Sequence, residues 1–265
     1  MSQRYGQNFL RDPNIARVAI DRAELVPADV VLEIGPGRGI LTELLAETVA
    51  TVQAVEIDPL LSTALAFVTT EHPNVLLTWG DAMKVPLAEL EPPPTAFVAN
   101  LPYNVATPLV LRSIPELPTI NRWCVMVQRE IADRMFAAPS TPAYGAVSVL
   151  MQLACERTDL HPVSRAVFDP PPRVDSALVA FRRLPSWAER APEWERLSLL
   201  IHAGFRHRRK TLVNGLTLAN LATRAQAEAV LTELGHDLRI RAEAIAPTGW
   251  PPLLAALEAA TVGAS

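Results

Sequence analysis

Short apolar and β-branched runs at residues 30–34, 52–57, 75–79, 96–99 and 123–128 punctuate the first half of the chain. The segments between them have helical spacing. Such alternation predicts a parallel sheet with helices on both faces. Two helix starts are marked: Asp58-Pro59 and Thr107-Pro108 each set a capping oxygen before a proline, whose missing N–H costs nothing in a first turn. A last strand is expected over 174–181, where apolar and polar residues alternate. Beyond Pro185 the period becomes helical over 194–205, 208–221 and 225–234, with Gly235 as a C-terminal cap. The chain is read as two domains, an α/β domain over 1–184 and a smaller helical one over 185–265. Pro-rich stretches at 91–95 and 169–173 are expected loops, and no internal repeat is visible.

Composition narrows the class without naming a function. A chain of 265 residues that is 49% hydrophobic can fill a substantial core. It contains no run of eighteen apolar residues, and MSQRYGQNFL lacks the apolar stretch of a signal peptide, so a cytoplasmic protein outside the membrane is expected. The two cysteines, Cys124 and Cys155, lie in apolar surroundings without metal-ligand spacing. They are expected as reduced core thiols, with no metal site. A net charge of −4 argues against indiscriminate coating of nucleic acid and leaves room for a local basic patch.

The first chemical signal is VLEIGPGRGILT, residues 31–42. A buried strand runs into Gly35-Pro36-Gly37-Arg38-Gly39 and then a helix, so bare backbone can approach a ligand at the strand's carboxyl end. The spacing lacks the third glycine placement of the dinucleotide fingerprint, which weakens a nicotinamide reading. After the next strand, AVEIDP places Glu56 where a carboxylate can accept both hydroxyls of a ribose. WGDAM then places Asp81 where it can accept from an adenine amino group.

Three successive strand ends bearing glycines, Glu and Asp resemble the S-adenosyl-L-methionine-dependent methyltransferases of Rossmann-like fold. In that fold the fourth strand ends beside the reacting methyl group. Here it ends in VANLPYNVATP, residues 98–108. Asn100-Leu101-Pro102-Tyr103 is similar to the [DNS]-P-P-[FYW] signature of enzymes that methylate base amino groups, with Leu for the first Pro. An exocyclic adenine amine is a poor nucleophile because its lone pair is delocalised into the ring. The resemblance implies that the Asn100 side-chain oxygen and the Leu101 carbonyl accept its two N–H bonds, Pro102 fixes the turn, and Tyr103 stacks on the base.

Further motifs narrow the family. YGQNFL (5–10), QREIADRM (128–135), YGAVSV (144–149) and FDPPPRVDSAL (168–178) together resemble the ribosomal RNA adenine dimethyltransferases, in the family's order and over nearly the whole chain. The resemblance implies that Asn8, Leu10, Gly35, Gly37, Glu56, Asp81 and Asn100 touch S-adenosyl-L-methionine. It also implies that Tyr103 and Phe168 sandwich a base taken out of its stack. AGFRHRRKTLVNGL (203–216) and RAEAIAPTGWPPL (241–253) look like the helical domain of the KsgA type, which dimethylates two adjacent adenines near the 3′ end of small-subunit ribosomal RNA.

Arg206, Arg208, Arg209 and Lys210 are then expected to contact RNA from a basic helix. The expected partner is small-subunit ribosomal RNA or a partly assembled 30S-type subunit, met by a monomer with a part in ribosome biogenesis. Family members commonly carry a longer leader than the five residues before Gly6, and no contribution of such an arm to RNA docking is assumed. The alternatives are the macrolide-resistance type acting on a large-subunit adenine, a non-catalytic RNA-binding assembly factor, a transcription factor of the mitochondrial relatives' kind, and a nicotinamide enzyme.

Overall fold

The computed structural model describes residues 7–262. The strands are β1 (Phe9–Leu10), β2 (Val30–Ile34), β3 (Thr51–Glu56), β4 (Val75–Trp79), β5 (Ala96–Asn100), β6 (Arg122–Gln128), β7 (Cys155–Val163), β8 (Phe168–Asp169) and β9 (Ser176–Arg183). Seven of them form one sheet in the order β4-β3-β2-β5-β6-β9-β7. The first five are mutually parallel, as the alternation of strand and helix requires, and β9 returns antiparallel to β6. Its span runs two residues later than the expected 174–181, because pairing with β6 continues to Arg182 opposite Arg122.

Strand order reverses between β2 and β5. The chain moves outward from β2 through β3 to β4, then crosses back to β5 on the other side. In an open parallel sheet this switch point leaves a crevice beyond the carboxyl ends of the two strands, where ligands bind. β2 is buried along its whole length, which is why its sequence does not alternate. β1 and β8 form a separate two-stranded ribbon pairing Phe9 with Asp169 and Leu10 with Phe168.

The helices of the α/β part are α1 (Pro13–Arg22), α2 (Ile40–Thr48), α3 (Ser62–Glu71), α4 (Ala106–Glu116) and the junctional α5 (Arg129–Met135). Asp58 caps as expected, its Oδ1 accepting the Leu60 N–H at 3.1 Å. Thr107 does not cap α4. That helix begins at Ala106, behind Val105, which supplies no capping oxygen.

Among the described residues, one compact unit holds the chain up to Ala132 together with Glu156–Arg183; the other holds Asp133–Cys155 and the residues from Leu184 onward. The second thus takes in a segment expected within domain 1–184. α6 (Ala146–Ala154) buries most of its length there, and just before it the Tyr144 phenol donates to the Ile245 carbonyl at 2.7 Å. α7 (Trp187–Arg190), α8 (Trp194–Phe205), α9 (Leu212–Leu218), α10 (Arg224–Glu233) and α11 (Trp250–Val262) complete this unit. Gly204 on α8 has no tolerable side chain, since a Cβ there would lie 2.6 Å from the Trp250 ring.

The basic stretch 206–210 is not part of a helix. It forms the turn between α8 and α9, closed by Lys210 N–H donating to the His207 carbonyl at 2.8 Å. Thr211 then takes an extended conformation and caps α9 through its hydroxyl, so the helix expected over 208–221 starts four residues later.

Candidate active site

The carboxyl ends of β2, β3 and β5, the loop after β4 and the β1 strap surround one cleft of about 1130 Å³, part of it open to solvent. Asn8, Leu10, Gly35, Gly37, Glu56, Asp81, Asn100, Leu101, Pro102 and Tyr103 all line it. Residues as far apart in sequence as Asn8 and Tyr103 meet there because parallel strands present their carboxyl ends at one edge of the sheet.

The glycine loop is left-handed at Gly35, Gly37 and Gly39, with φ of +76°, +61° and +90°. Gly39 is held to hydrogen by space as well as by backbone, and Gly37 is closely packed. A Cβ at Gly37 would stand 3.1 Å from the Phe9 ring, and one at Gly39 would stand 2.6 Å from Val68 Cγ2.

Glu56 ends β3 with only 3% of its surface exposed. Its carboxylate accepts three main-chain N–H bonds, from Gly37 at 3.2 Å, Ile57 at 2.9 Å and Asp58 at 2.8 Å. Burial nevertheless raises its pKa above the ordinary range, against the pull of those bonds. A carboxylate has about four acceptor sites, so one remains free, and accepting two further donors would displace the long Gly37 bond.

Sequence reasoning passed over Glu33, which also lines the cleft. It is 1% exposed and its Oε2 has no hydrogen-bond partner. Burial pushes its pKa up to about 8; the Thr42 hydroxyl opposes this and the charge of Glu56 adds to it. The available signal was a lone charged residue inside VVLEI, a strand otherwise wholly apolar.

Asp81 follows β4, and its Oδ1 accepts the Met83 N–H at 2.9 Å. The loop carrying it is clamped from α4 by Arg112, which donates to the carbonyls of Ala82 at 2.7 Å and Val85 at 3.1 Å.

Asn100 closes β5. Its Nδ2 donates to the Asn8 carbonyl at 3.1 Å. A carbonyl can only accept, so the near atom must be the amide nitrogen, which leaves Oδ1 as the outward acceptor. The strap bearing Asn8 is tied at both ends, by Gln7 Nε2 to Asp58 at 3.0 Å and by β1–β8 pairing. Arg38 lies 4.7 Å over the Phe9 ring and pairs with Asp169 at 3.3 Å. Tyr5 and Gly6 of the YGQNFL motif lie outside the described residues.

Phe168 does not join this constellation. It is 1% exposed, is not among the described residues lining the cleft and packs into the core, on the strand that pairs with β1. Among the described residues the Phe168 ring thus stands with the core side chains and not on the cleft.

In the helical unit Arg206, Arg208, Arg209 and Lys210 are all exposed. Arg208 is committed within the unit, donating to the carbonyls of Pro142 at 3.1 Å and Tyr144 at 3.2 Å and lying 3.9 Å from Glu243. Among the described residues no helix is long and apolar enough to cross a membrane.

The family model for ribosomal RNA adenine dimethylases matches residues 1–248. The ribosomal RNA small subunit methyltransferase A of Rubrobacter xylanophilus is 46% identical over 246 residues, covering 92% of this chain and 90% of its own. That of Thermobifida fusca is 42% identical, covering 91% of this chain and 84% of its own. Among solved structures, a dimethyladenosine transferase from Plasmodium falciparum superposes with a TM-score of 0.82 at 25% identity, covering 96% of this chain and 98% of its own. The 23S rRNA methyltransferase ErmE superposes with a TM-score of 0.68 at 30% identity, covering 95% of this chain and 100% of its own. Matched along nearly its whole length, the chain belongs to the ribosomal RNA adenine dimethylase family.

Proposed function

We propose that this protein transfers methyl groups from S-adenosyl-L-methionine to the N6 amines of two adjacent adenines near the 3′ end of small-subunit ribosomal RNA. The observation that carries the reading is the meeting, in one cleft, of a left-handed glycine loop and two strand-end carboxylates with the Asn100–Tyr103 loop. The cleft fits the cofactor. It combines bare backbone at Gly37, a spare acceptor on Glu56, and a buried Glu33 oxygen, Oε2, without a hydrogen-bond partner of its own. When bound, the cofactor supplies an electrophilic methyl group on a cationic sulfur.

The chain's own residues divide the remaining work. Glu56 holds the ribose, Asp81 the adenine, and Asn8, Leu10, Gly35 and Gly37 line the cofactor's path. Asn100 Oδ1 and the Leu101 carbonyl accept the two N–H bonds of the target amine, drawing its lone pair out of conjugation. The Asn8 carbonyl keeps the acceptor end of Asn100 facing outward. Pro102 shapes the turn and Tyr103 stacks on the base. No strong base is required, because the nitrogen becomes acidic only once methylated, and its proton then leaves to water.

Small-subunit RNA is favoured over the large-subunit alternative by the relatives at 46% and 42% identity, both named for the small subunit. Arg206, Arg209 and Lys210 are assigned to phosphate contact, and Arg208 to holding the turn. The working form is a cytoplasmic monomer acting on a partly assembled 30S-type particle.

The test is incubation with labelled S-adenosyl-L-methionine and unmethylated ribosomal subunits of each size, followed by digestion to nucleosides. N6,N6-dimethyladenosine in the small subunit alone is the expected result. Label confined to the large subunit would transfer the reading to the other branch.

A further inference from the structure

The signature FDPPPRVDSAL contains, near its end, a residue with no part in the chemistry so far. Ser176 is the first residue of β9, opposite Gln128 at the end of β6, and is 1% exposed. Its Oγ lies 2.6 Å from the Tyr103 phenol oxygen, across a separation of 73 residues. The residue before it is pinned on both sides. The Asp175 carbonyl accepts the Arg129 N–H at 3.0 Å, and its Oδ1 accepts the Arg165 N–H at 3.0 Å. Ser176 therefore belongs to a rigid wall, whereas Tyr103 stands on the loop that follows β5.

The arrangement matters because of what the other aromatic rings are doing. Phe168 is enclosed in the core. Among the described residues the cleft's aromatic lining is Phe9 and Tyr103, and Phe9 already carries the Arg38 guanidinium on its face. Stacking of a target base falls on Tyr103. A half-buried ring on a loop is free to swing about two side-chain torsions unless its far end is held, and the phenol oxygen is that far end. Methyl transfer leaves the target amine cationic until its proton departs, so the ring's electron-rich face must lie parallel to the base at the moment of reaction.

We propose that Ser176 is a positioning residue for methyl transfer, setting the tilt and depth of the Tyr103 ring against the target base through the phenol–hydroxyl bond. The proposal rests on the base-methylating reading of the site. Burial raises the Tyr103 pKa above its ordinary range; the Ser176 bond pulls it down and the charge of Asp175 adds to the rise. The phenol thus stays neutral, and loss of the serine hydroxyl should move its ionisation higher still.

A double-mutant cycle tests this. Ser176→Ala and Tyr103→Phe each remove the bond from one end, and single-turnover methylation of unmethylated small subunits is followed at saturating cofactor and substrate. Each single variant is expected to be slower by about tenfold, and the double variant no slower than the worse single. Cofactor affinity by calorimetry stays the same in Ser176→Ala. Losses that multiply in the double variant, or a wild-type rate in either single variant, overturn the proposal. Should Ser176→Ala not fold, Tyr103→Phe still decides, since it keeps the ring and the strand and removes only the bond. NMR of ¹³Cζ-labelled tyrosine reads the bond without any methyl transfer. The Tyr103 ionisation should shift upward in Ser176→Ala, and an unmoved ionisation overturns the bond itself. Wild-type protein that methylates neither subunit would instead remove the function reading.

Discussion

On the side of the cleft proposed for the cofactor, Glu56 and the glycine loop hold one another. Glu56 accepts from the Gly37 N–H only nineteen residues away and from its own two successors. On the side proposed for the target base, Asn100 and Tyr103 are each held from far along the chain. Asn100 is oriented by Asn8, 92 residues earlier, and Tyr103 by Ser176, 73 residues later. The cofactor side is a product of strand ends and a tight turn. Between them, those holds require the N-terminal strap and β9 to be in place. Cofactor affinity and methyl-transfer rate should therefore respond to different substitutions, and experiments can press on that separation.

The largest effect is expected on the cofactor side. Glu56→Ala should lower cofactor affinity by about 3 kcal/mol, since a charge-assisted bond to ribose disappears and the glycine loop loses its tether. Calorimetry on the folded variant reads this, and unchanged affinity would remove Glu56 from the site. Asn100→Ala is the counterpart. At saturating cofactor it should slow methylation by roughly 10², with a far smaller change in cofactor affinity. If Asn100→Ala instead acted mainly on affinity, the two sides would not be separable.

Glu33 provides a sharper test of the cofactor side through pH. Its carboxyl has a pKa of about 8 in the folded protein, against 4.5 for the free group. A raised pKa means that the folded state keeps the proton after the unfolded state has released it. The group's contribution is therefore fully present below pH 4.5 and declines as pH rises toward 8, at up to about 1.4 kcal/mol per pH unit. Glu33→Gln should flatten stability against pH between these limits in denaturant titrations. An unchanged slope would mean that Glu33 is solvated.

The smallest effect is expected in the helical unit, far from either side in chemistry. Replacing Arg206, Arg209 and Lys210 by Glu, while leaving Arg208 to hold the 142–144 carbonyls, should weaken binding to ribosomal particles. The slope of log affinity against log salt should fall by about 0.7 for each phosphate that is no longer neutralised. Cofactor affinity should not change. A wild-type slope would make the turn a solvated surface and shift RNA docking to Arg129, Arg134 and Arg173.

That the residues proposed for the cofactor lie together was legible without coordinates. Gly35, Gly37, Glu56, Asp81 and Asn100 end, or closely follow, apolar runs of a chain alternating strand with helix, and a parallel sheet can only bring such ends to one edge. Local pattern and one topological rule suffice for that. What needed tertiary structure was everything set by pairing between distant segments. The same FDPPPRVDSAL motif that identified the family says nothing of Phe168 being buried in the core, or of Ser176 reaching Tyr103. Nothing in the run of like charges at 206–210 marks Arg208 as the one whose guanidinium turns inward to the 142–144 carbonyls. Glu33 stands out in the sequence as a lone charge in VVLEI, but its strand is flanked on both sides only by β3 and β5 of the folded sheet. Sequence period determines which face of an element is apolar. Exposure, hydrogen-bond partner and protonation state depend on what packs against that face, and that is decided by contacts many residues away.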